Sequence, residues 1–171
     1  MNICYMYVPE NSKCILGIPM IPKYITIHEA ETGITDAPMF RNYMYYRNLL
    51  LHPKYNREKV GYHYIVDDAK AYAFIPDNMK AYHCGDGEFG TGNSESIGVE
   101  RCVNEGIDHM KAIHIQAKLT AHIANKYSIP LTNIMMHKDW SGKDCPSRLI
   151  HNVFISWDEF ISLVEKYMKE D

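Results

Sequence analysis

Two histidines and one cysteine stand where a metal ion could be bound. His28 ends one apolar run, His137 ends another, and Cys145 follows eight residues later, directly before Pro146. Sites on open sheets are built from residues at strand ends beside loops. Two imidazoles and one thiolate suit zinc, and a fourth position left open for water is typical of a catalytic site. Spacing alone is also compatible with coincidence, because the three residues are not close together in the chain.

Two charged residues accompany this set. Glu100 lies in an alternating segment and shares a face with Gly98 and Cys102, so its carboxylate points at a partly buried side. A buried carboxylate needs a partner or a function, and an ion pair with a neighbouring Arg or Lys would also satisfy it. Lys143, two residues before Cys145, is either a solvated loop charge or a cation that stabilises developing negative charge.

The rest of the pattern predicts the elements that must position these residues. Clustered or alternating β-branched and aromatic residues predict strands at residues 24–28, 62–66, 71–75 and 96–103, the middle two forming a hairpin. The apolar run 134–136 leads into His137. Helices are predicted at residues 39–51, at 109–127, and from Ser156, where Glu159 completes a capping box, to about residue 169. This mixture predicts an α/β fold, a single mixed central β-sheet flanked by α-helices.

Length and composition restrict the class of protein. The 171 residues suit one domain, and the net charge of −3 argues against nucleic acid or an anionic membrane as the main partner. No apolar run approaches the about 20 residues that span a bilayer, and the N-terminus does not resemble a signal peptide. The five cysteines form no CxxC pair, so we expect no disulfide framework. We expect a monomer that is synthesised in the cytoplasm.

Four ordered motifs resemble those of one enzyme family. Residues 137–146, HKDWSGKDCP, are similar to the zinc-ligand segment of the type 2 N-acetylmuramoyl-L-alanine amidases. The segments 25–28 (ITIH), 61–68 with 81–87 after it, and 92–100 (GNSESIGVE) resemble further family motifs in the same order. The likeness covers residues 24–150 and is greatest to catalytic domains of phage and prophage endolysins of Gram-positive hosts.

The resemblance implies roles for individual residues. It implies Zn2+ held by His28, His137 and Cys145, proton transfer by Glu100 and support of an oxyanion by Lys143. For the less certain positions we keep two interpretations. Tyr62 assists catalysis or is a packed strand aromatic, and its division of labour with Glu100 stays open. His83 and Asn93 contact substrate, or His83 is a packing residue.

The resemblance also implies a reaction. We expect hydrolysis of the amide between N-acetylmuramic acid and L-alanine in bacterial peptidoglycan. One alternative is a non-catalytic peptidoglycan-recognition module, although such modules typically lack the cysteine found at Cys145. Another is a cytosolic muropeptide-recycling amidase, in which an aspartate is the usual third ligand.

The resemblance also predicts the domain organisation and the way in which the protein reaches the cell wall. With the C-terminal helix, it predicts a single catalytic domain over residues 1–171, with no wall-binding domain recognisable and no match for residues 1–23. Endolysins accumulate in the cytoplasm and reach the cell wall when the membrane is permeabilised. The apparent lack of a signal peptide fits release in this way at host lysis.

Overall fold

A six-stranded mixed sheet forms the centre of the fold. The computed structural model describes residues 2–8, 12, 14–30 and 60–170. The strands are β1 (Ile3–Tyr5), β2 (Tyr24–Ala30), β3 (Tyr64–Val66), β4 (Ala71–Ala73), β5 (Ser96–Cys102) and β6 (Ile134–Met136). Their order is β1-β4-β3-β5-β2-β6, and every neighbouring pair is parallel except the β3–β4 hairpin. The predicted fold class is confirmed.

Five helices accompany the sheet in the described ranges. They are α1 (Thr91–Glu95), α2 (His109–Tyr127), α3 (His137–Ser141), α4 (Ser147–Ile150) and α5 (Trp157–Glu170), with a 3₁₀ turn at Leu131–Asn133. The predicted bounds of α2 are confirmed. The predicted capping box of α5 is confirmed as well, since Glu159 accepts from the Ser156 amide at 2.7 Å and Ser156 accepts from the Glu159 amide at 3.2 Å. The helix predicted at residues 39–51 lies outside the described residues. No described helix is long and apolar enough to cross a bilayer.

The two faces of the sheet differ in the residues that they bury. On one face, Ile25, Ile27, Ile97 and Val99 are fully buried in a core that includes residues of α2 and α5. The alternation of β5 turns Gly98, Glu100 and Cys102 to the other side, as predicted. That side carries a smaller apolar cluster and the polar residues discussed below.

A buried carboxylate ties the sheet to the end of α2. Asp77 accepts hydrogen bonds from Lys126 Nζ at 2.8 Å, from the Tyr127 hydroxyl at 2.9 Å, and from the Tyr64 hydroxyl. Burial alone would raise the pKa of Asp77, but these three donors outweigh it and the pKa lies below its usual range. The carboxylate therefore connects β3 to α2 in its charged form.

We expect Asp77→Asn to lower the free energy of unfolding by about 1.5–3 kcal/mol near neutral pH, since hydrogen bonds to a charged group are lost. A carboxyl whose pKa is lower in the folded state stabilises the fold above its unfolded pKa of 3.8 and loses that contribution as pH falls. Urea denaturation of both proteins at pH 7 and in acid should show the difference shrinking below about pH 4. An equal difference at both pH values would contradict this assignment.

Candidate metal centre

Strand register brings three of the predicted site residues side by side. In the parallel pairing of β2 with β5, His28 lies directly opposite Glu100. On the other edge of β2, Ile27 pairs with Met136, which places His137 at the level of His28 as the chain leaves β6 for α3. Directly paired residues on adjacent strands point to the same face. Three segments that are distant in the sequence thus bring these residues together.

His28, His137 and Cys145 form a cluster with the geometry of a metal site. His28 Nδ1 lies 3.0 Å from His137 Nδ1 and 3.9 Å from Cys145 Sγ. In a tetrahedral zinc site the nitrogen ligands would be about 3.4 Å apart and nitrogen and sulfur about 3.6 Å, from bond lengths of about 2.1 and 2.3 Å. The three ligand atoms all lie within 4.8 Å of one another, and each residue is at most 6% exposed. The donor set therefore fits a tetrahedral metal ion with one position left open.

The protonation states suit two of the ligands. Burial, together with the nearby His83 and His137, holds the pKa of His28 well below its usual range. Burial and Lys143 lower the pKa of His137 to about 4. Both imidazoles are therefore neutral at pH 7 and offer lone pairs. Burial instead raises the pKa of the Cys145 thiol to about 12, so this ligand must give up a proton when a metal binds.

Backbone contacts hold Cys145 in place. Its Sγ accepts from the amide of Glu29 at 3.4 Å, and its carbonyl accepts from the amide of Lys138 at 3.0 Å. The first contact joins the cysteine to the residue after His28, and the second joins it to the residue after His137. Each ligand segment therefore fixes the position of the others.

A buried ion pair lies behind the cluster. Arg101, fully buried on the helix-facing side of β5, donates through Nη2 to Glu29 Oε1 and through Nε to Gln116 of α2 at 3.1 Å. Glu29 Oε2 accepts from the amide of Arg148 at 2.9 Å, at the start of the helix that follows Cys145. Gln116 donates in turn to the carbonyl of His28 at 3.1 Å. This network connects β2, β5, α2 and α4 around the metal ligands.

Glu100 is the carboxyl group next to this cluster. Its Oε1 lies 3.9 Å from His28 Nδ1, and its buried Oε2 has no hydrogen-bond partner in the described part of the chain. Burial raises its pKa to about 8, against the opposing effect of Lys143. A carboxyl group in this setting can take up and release a proton near neutral pH, which suits general acid–base catalysis.

An open cleft of about 890 Å³ gives access to the cluster. Its walls include Tyr62, Glu100 and Lys143, the three predicted catalytic residues, together with all three predicted metal ligands. Tyr62 packs edge-on against Phe74, with ring centroids 5.7 Å apart, so it is a packed aromatic that also borders the cleft. Both interpretations of Tyr62 therefore remain compatible with its position.

The two predicted substrate contacts lie deeper than expected. Asn93 is buried outside the cleft walls, and its Oδ1 accepts from the amides of His83 and Cys84, each at 2.8 Å. Its Nδ2 donates to the carbonyl of Gly87 at 3.0 Å. Because the carboxamide makes three hydrogen bonds to backbone, we propose that Asn93 positions the 83–84 segment rather than substrate. His83 borders the cleft but hydrogen-bonds to His28 from behind, with Nδ1 2.9 Å from His28 Nε2.

A second group of possible ligands shares His28. His28, His83 and Cys84 also bring their ligand atoms within 4.8 Å, and all three are buried. Cys84 is absent from the cleft walls, and burial raises the pKa of its thiol to about 12. Because Cys145 lines the cleft and Cys84 does not, the cluster with Cys145 is the better candidate for chemistry.

Comparison with known proteins agrees with the motifs. The model of the N-acetylmuramoyl-L-alanine amidase family matches residues 19–148. The chain belongs to this family. Among curated relatives, the Bacillus subtilis amidase CwlH is 32% identical over 91% of this chain and 58% of its own length. The Bacillus subtilis amidase XlyA is 33% identical over 93% of this chain and 50% of its own length. The chain thus spans about half the length of these relatives.

Solved amidase-family structures share the architecture. The catalytic domain of XlyA superposes with a TM-score of 0.83 at 32% identity, covering 96% of this chain and 99% of that one. The PlyG catalytic domain gives 0.79 at 34% identity, covering 98% and 96%. In both cases the chain matches nearly the whole of a catalytic domain.

The family motifs did not reveal the supporting network. Glu29, Arg101 and Gln116 were not among the predicted site residues. One signal was present, because Arg101 shares a face of β5 with Ile97 and Val99, and a cation on an apolar face requires a buried partner. The acidic residue directly after His28 could have been proposed as that partner.

We expect Glu29→Gln to cost about 3–5 kcal/mol of folding free energy, because it leaves the Arg101 guanidinium buried without a counter-charge. The matched control is Glu165→Gln, which removes an exposed pair with Lys169 on α5 and should cost less than about 1 kcal/mol. Chemical denaturation of both variants measures the difference. Similar losses of folding free energy in the two variants would show that the Glu29–Arg101 pair is no stronger than the exposed Glu165–Lys169 pair.

The two candidate ligand groups predict different metal-binding variants. Cys145→Ser should lose most bound zinc, whereas Cys84→Ser should retain one ion per chain. Zinc titration of the metal-free wild type at pH 7 should also release a proton, since Cys145 must ionise to bind. Metal analysis and pH-stat titration check these outcomes, and full zinc occupancy in Cys145→Ser would rule out this ligand set.

Proposed function

We propose that this chain is a zinc-dependent amidase that hydrolyses the amide between N-acetylmuramic acid and L-alanine in bacterial peptidoglycan. The observation that carries the proposal is the convergence of His28, His137 and Cys145 beside Glu100 in one open cleft. Membership in the amidase family supports the same reaction. We further propose that the chain functions as a single catalytic domain.

Zinc is the metal that fits this donor set best. Two neutral imidazoles and one thiolate are ligands that zinc prefers, and three protein ligands leave one position for water or substrate. When bound, the ion would act as a Lewis acid that polarises the scissile carbonyl and makes water more acidic. The three ligands come from β2, from the start of α3 and from the loop before α4, so the folded chain orients them in advance.

Glu100 supplies the proton transfers of the reaction. Its carboxylate accepts a proton from the attacking water and later delivers it to the nitrogen of the departing L-alanine. The water oxygen joins the lactyl carbonyl carbon, the carbon–nitrogen bond breaks, and a carboxylic acid and a free amine result. The lack of a hydrogen-bond partner for Glu100 Oε2 supports this role, because a purely structural carboxylate would be paired.

Lys143 and Tyr62 complete the cleft. The exposed ammonium of Lys143 stabilises the negative charge that develops on the carbonyl oxygen during attack. Tyr62 borders the same cleft, with its hydroxyl buried in the wall. We propose Glu100 as the main proton carrier and Tyr62 as an auxiliary group.

The substrate is the cell wall of a bacterium. We propose that the enzyme acts as an endolysin-type domain and reaches peptidoglycan when the host cell lyses. The solved relatives include a structure named as a mutant endolysin from Bacillus subtilis, which matches this chain with a TM-score of 0.83.

Mass spectrometry of purified peptidoglycan after incubation with the zinc-loaded chain tests the reaction. We expect new free L-alanine N-termini and a matching amount of peptide-free muramic acid. A wall that is bound while its fragments stay unchanged would replace the amidase by a recognition module. Cleavage of soluble muropeptides but not of intact wall would replace the endolysin role by a recycling role.

We expect Glu100→Gln to keep the fold and one zinc ion per chain but to lower the cleavage rate by about 10²–10⁴-fold, the usual effect of losing a general acid–base group. Tyr62→Phe is the companion variant and should lower the rate much less. A wild-type rate in Glu100→Gln with a large loss in Tyr62→Phe would transfer proton delivery to Tyr62.

A further inference from the structure

His83 occupies a slot that the backbone of β5 leaves open for it. A Cβ atom added to Gly98 would come within 2.8–2.9 Å of the His83 ring, so only glycine admits the imidazole at this position. The amide of His83 donates to Asn93 Oδ1 at 2.8 Å, which fixes the backbone of the residue. The ring also packs edge-on against His63. His83 is therefore held rigidly, and only one edge of its ring reaches His28.

The hydrogen bonds of His83 determine where its hydrogen lies. Nε2 lies 3.2 Å from the carbonyl oxygen of Ser96, and a carbonyl can only accept, so Nε2 carries the hydrogen. In a neutral imidazole the other nitrogen is then a bare acceptor. That nitrogen, Nδ1, lies 2.9 Å from His28 Nε2. It follows that His28 Nε2 is the donor in this bond.

The same reasoning extends to the metal side of His28. With hydrogen on Nε2, a neutral His28 has a bare Nδ1, and this atom is the one that faces His137 Nδ1 and Cys145 Sγ. A hydrogen bond to the far nitrogen of a metal-binding histidine fixes its tautomer and orientation and increases its basicity.

We propose that His83 is a positioning residue that fixes the tautomer of His28 so that Nδ1 is presented to the metal. The proposal rests on the proposed metal site but not on the reaction performed there. It assigns His83 a role other than substrate contact. It also explains why the group with Cys145 is the better metal site than the group with His83 and Cys84. A His28 Nε2 that carries hydrogen and donates to His83 cannot bind a metal together with His83 and Cys84.

Two features oppose a role in packing alone. A packing residue needs no acceptor at Nδ1, yet this nitrogen receives His28 and also lies 3.2 Å from Cys84 Sγ. The Cys84 thiol has alternative acceptors in the Thr26 hydroxyl at 3.6 Å and the Ser96 hydroxyl at 3.8 Å, whereas His28 Nε2 has only His83 among the described residues. Loss of the His83 acceptor would therefore leave His28 Nε2, but not the Cys84 thiol, without an acceptor among the described residues.

NMR of the metal-free wild-type chain tests the tautomer directly. Long-range ¹⁵N–¹H correlation of the histidine rings should show hydrogen on Nε2 and a bare Nδ1 for both His28 and His83. Hydrogen on Nδ1 of His28 would overturn the proposal. This measurement involves no variant, so it does not depend on whether a substitution disturbs folding.

Zinc affinity of two matched variants tests the consequence. Asn and Leu have similar size and shape, but only the amide oxygen of Asn, which can lie where His83 Nδ1 lies, can accept from His28 Nε2. Chelator competition should therefore show a zinc dissociation constant about 10–100-fold weaker in His83→Leu, with most of the loss recovered in His83→Asn. Wild-type affinity in both variants, or an equal loss in both, would overturn the acceptor role.

These readouts separate the proposal from the reaction. A chain with the expected tautomers and variant affinities that fails to cleave peptidoglycan would contradict the proposed function and leave the role of His83 intact. Cleavage by a chain with the opposite His28 tautomer would support the proposed function and overturn the proposed role of His83.

Discussion

The buried pair of Glu29 and Arg101 is the interaction on which the site depends. Charges taken out of water must be paired. Arg101 also donates to Gln116, and Glu29 also accepts from the amide of Arg148. Glu29 follows a metal ligand directly, so the same hydrogen bonds that satisfy its carboxylate also hold β2 against the segment after Cys145. Any shift of that segment would break the hydrogen bond from the Arg148 amide to this buried carboxylate, so distortion of the site is energetically unfavourable.

The layer beneath the cleft is polar, whereas the core on the helix-facing side of the sheet is apolar except for the network of Glu29, Arg101 and Gln116. Thr26 accepts from the Trp140 indole at 2.9 Å and lies 2.6 Å from the Ser96 hydroxyl. His63 accepts from the Gly98 amide and lies 2.9 Å from the Met79 carbonyl. Connected polar networks in a low-dielectric interior are rigid when each member is satisfied. The layer beneath the cleft therefore restricts the rotation of the side chains that line it.

Much of this architecture could be predicted from local sequence. The α/β class, the bounds of α2 and the cap of α5 follow from periodicity and capping residues, which act over a few positions. The metal ligands and Glu100 could be proposed from strand ends, alternation and family motifs. The backbone contacts of Asn93 could not, because its carboxamide could reach either substrate or backbone, and only the folded chain shows backbone at 2.8 Å. The partners of Arg101 likewise depend on how α2 lies across the sheet.

The spacing of the three ligands along the chain has a consequence for folding. His28 is separated from His137 by 109 residues and from Cys145 by 117, while all five cysteines are free. An ion bound by these residues closes loops as long as those closed by the largest disulfides, and a crosslink over about 100 residues removes chain entropy equivalent to about 4–5 kcal/mol. A metal ion bound at this site would thus act as a reversible crosslink, available to the chain without any oxidation.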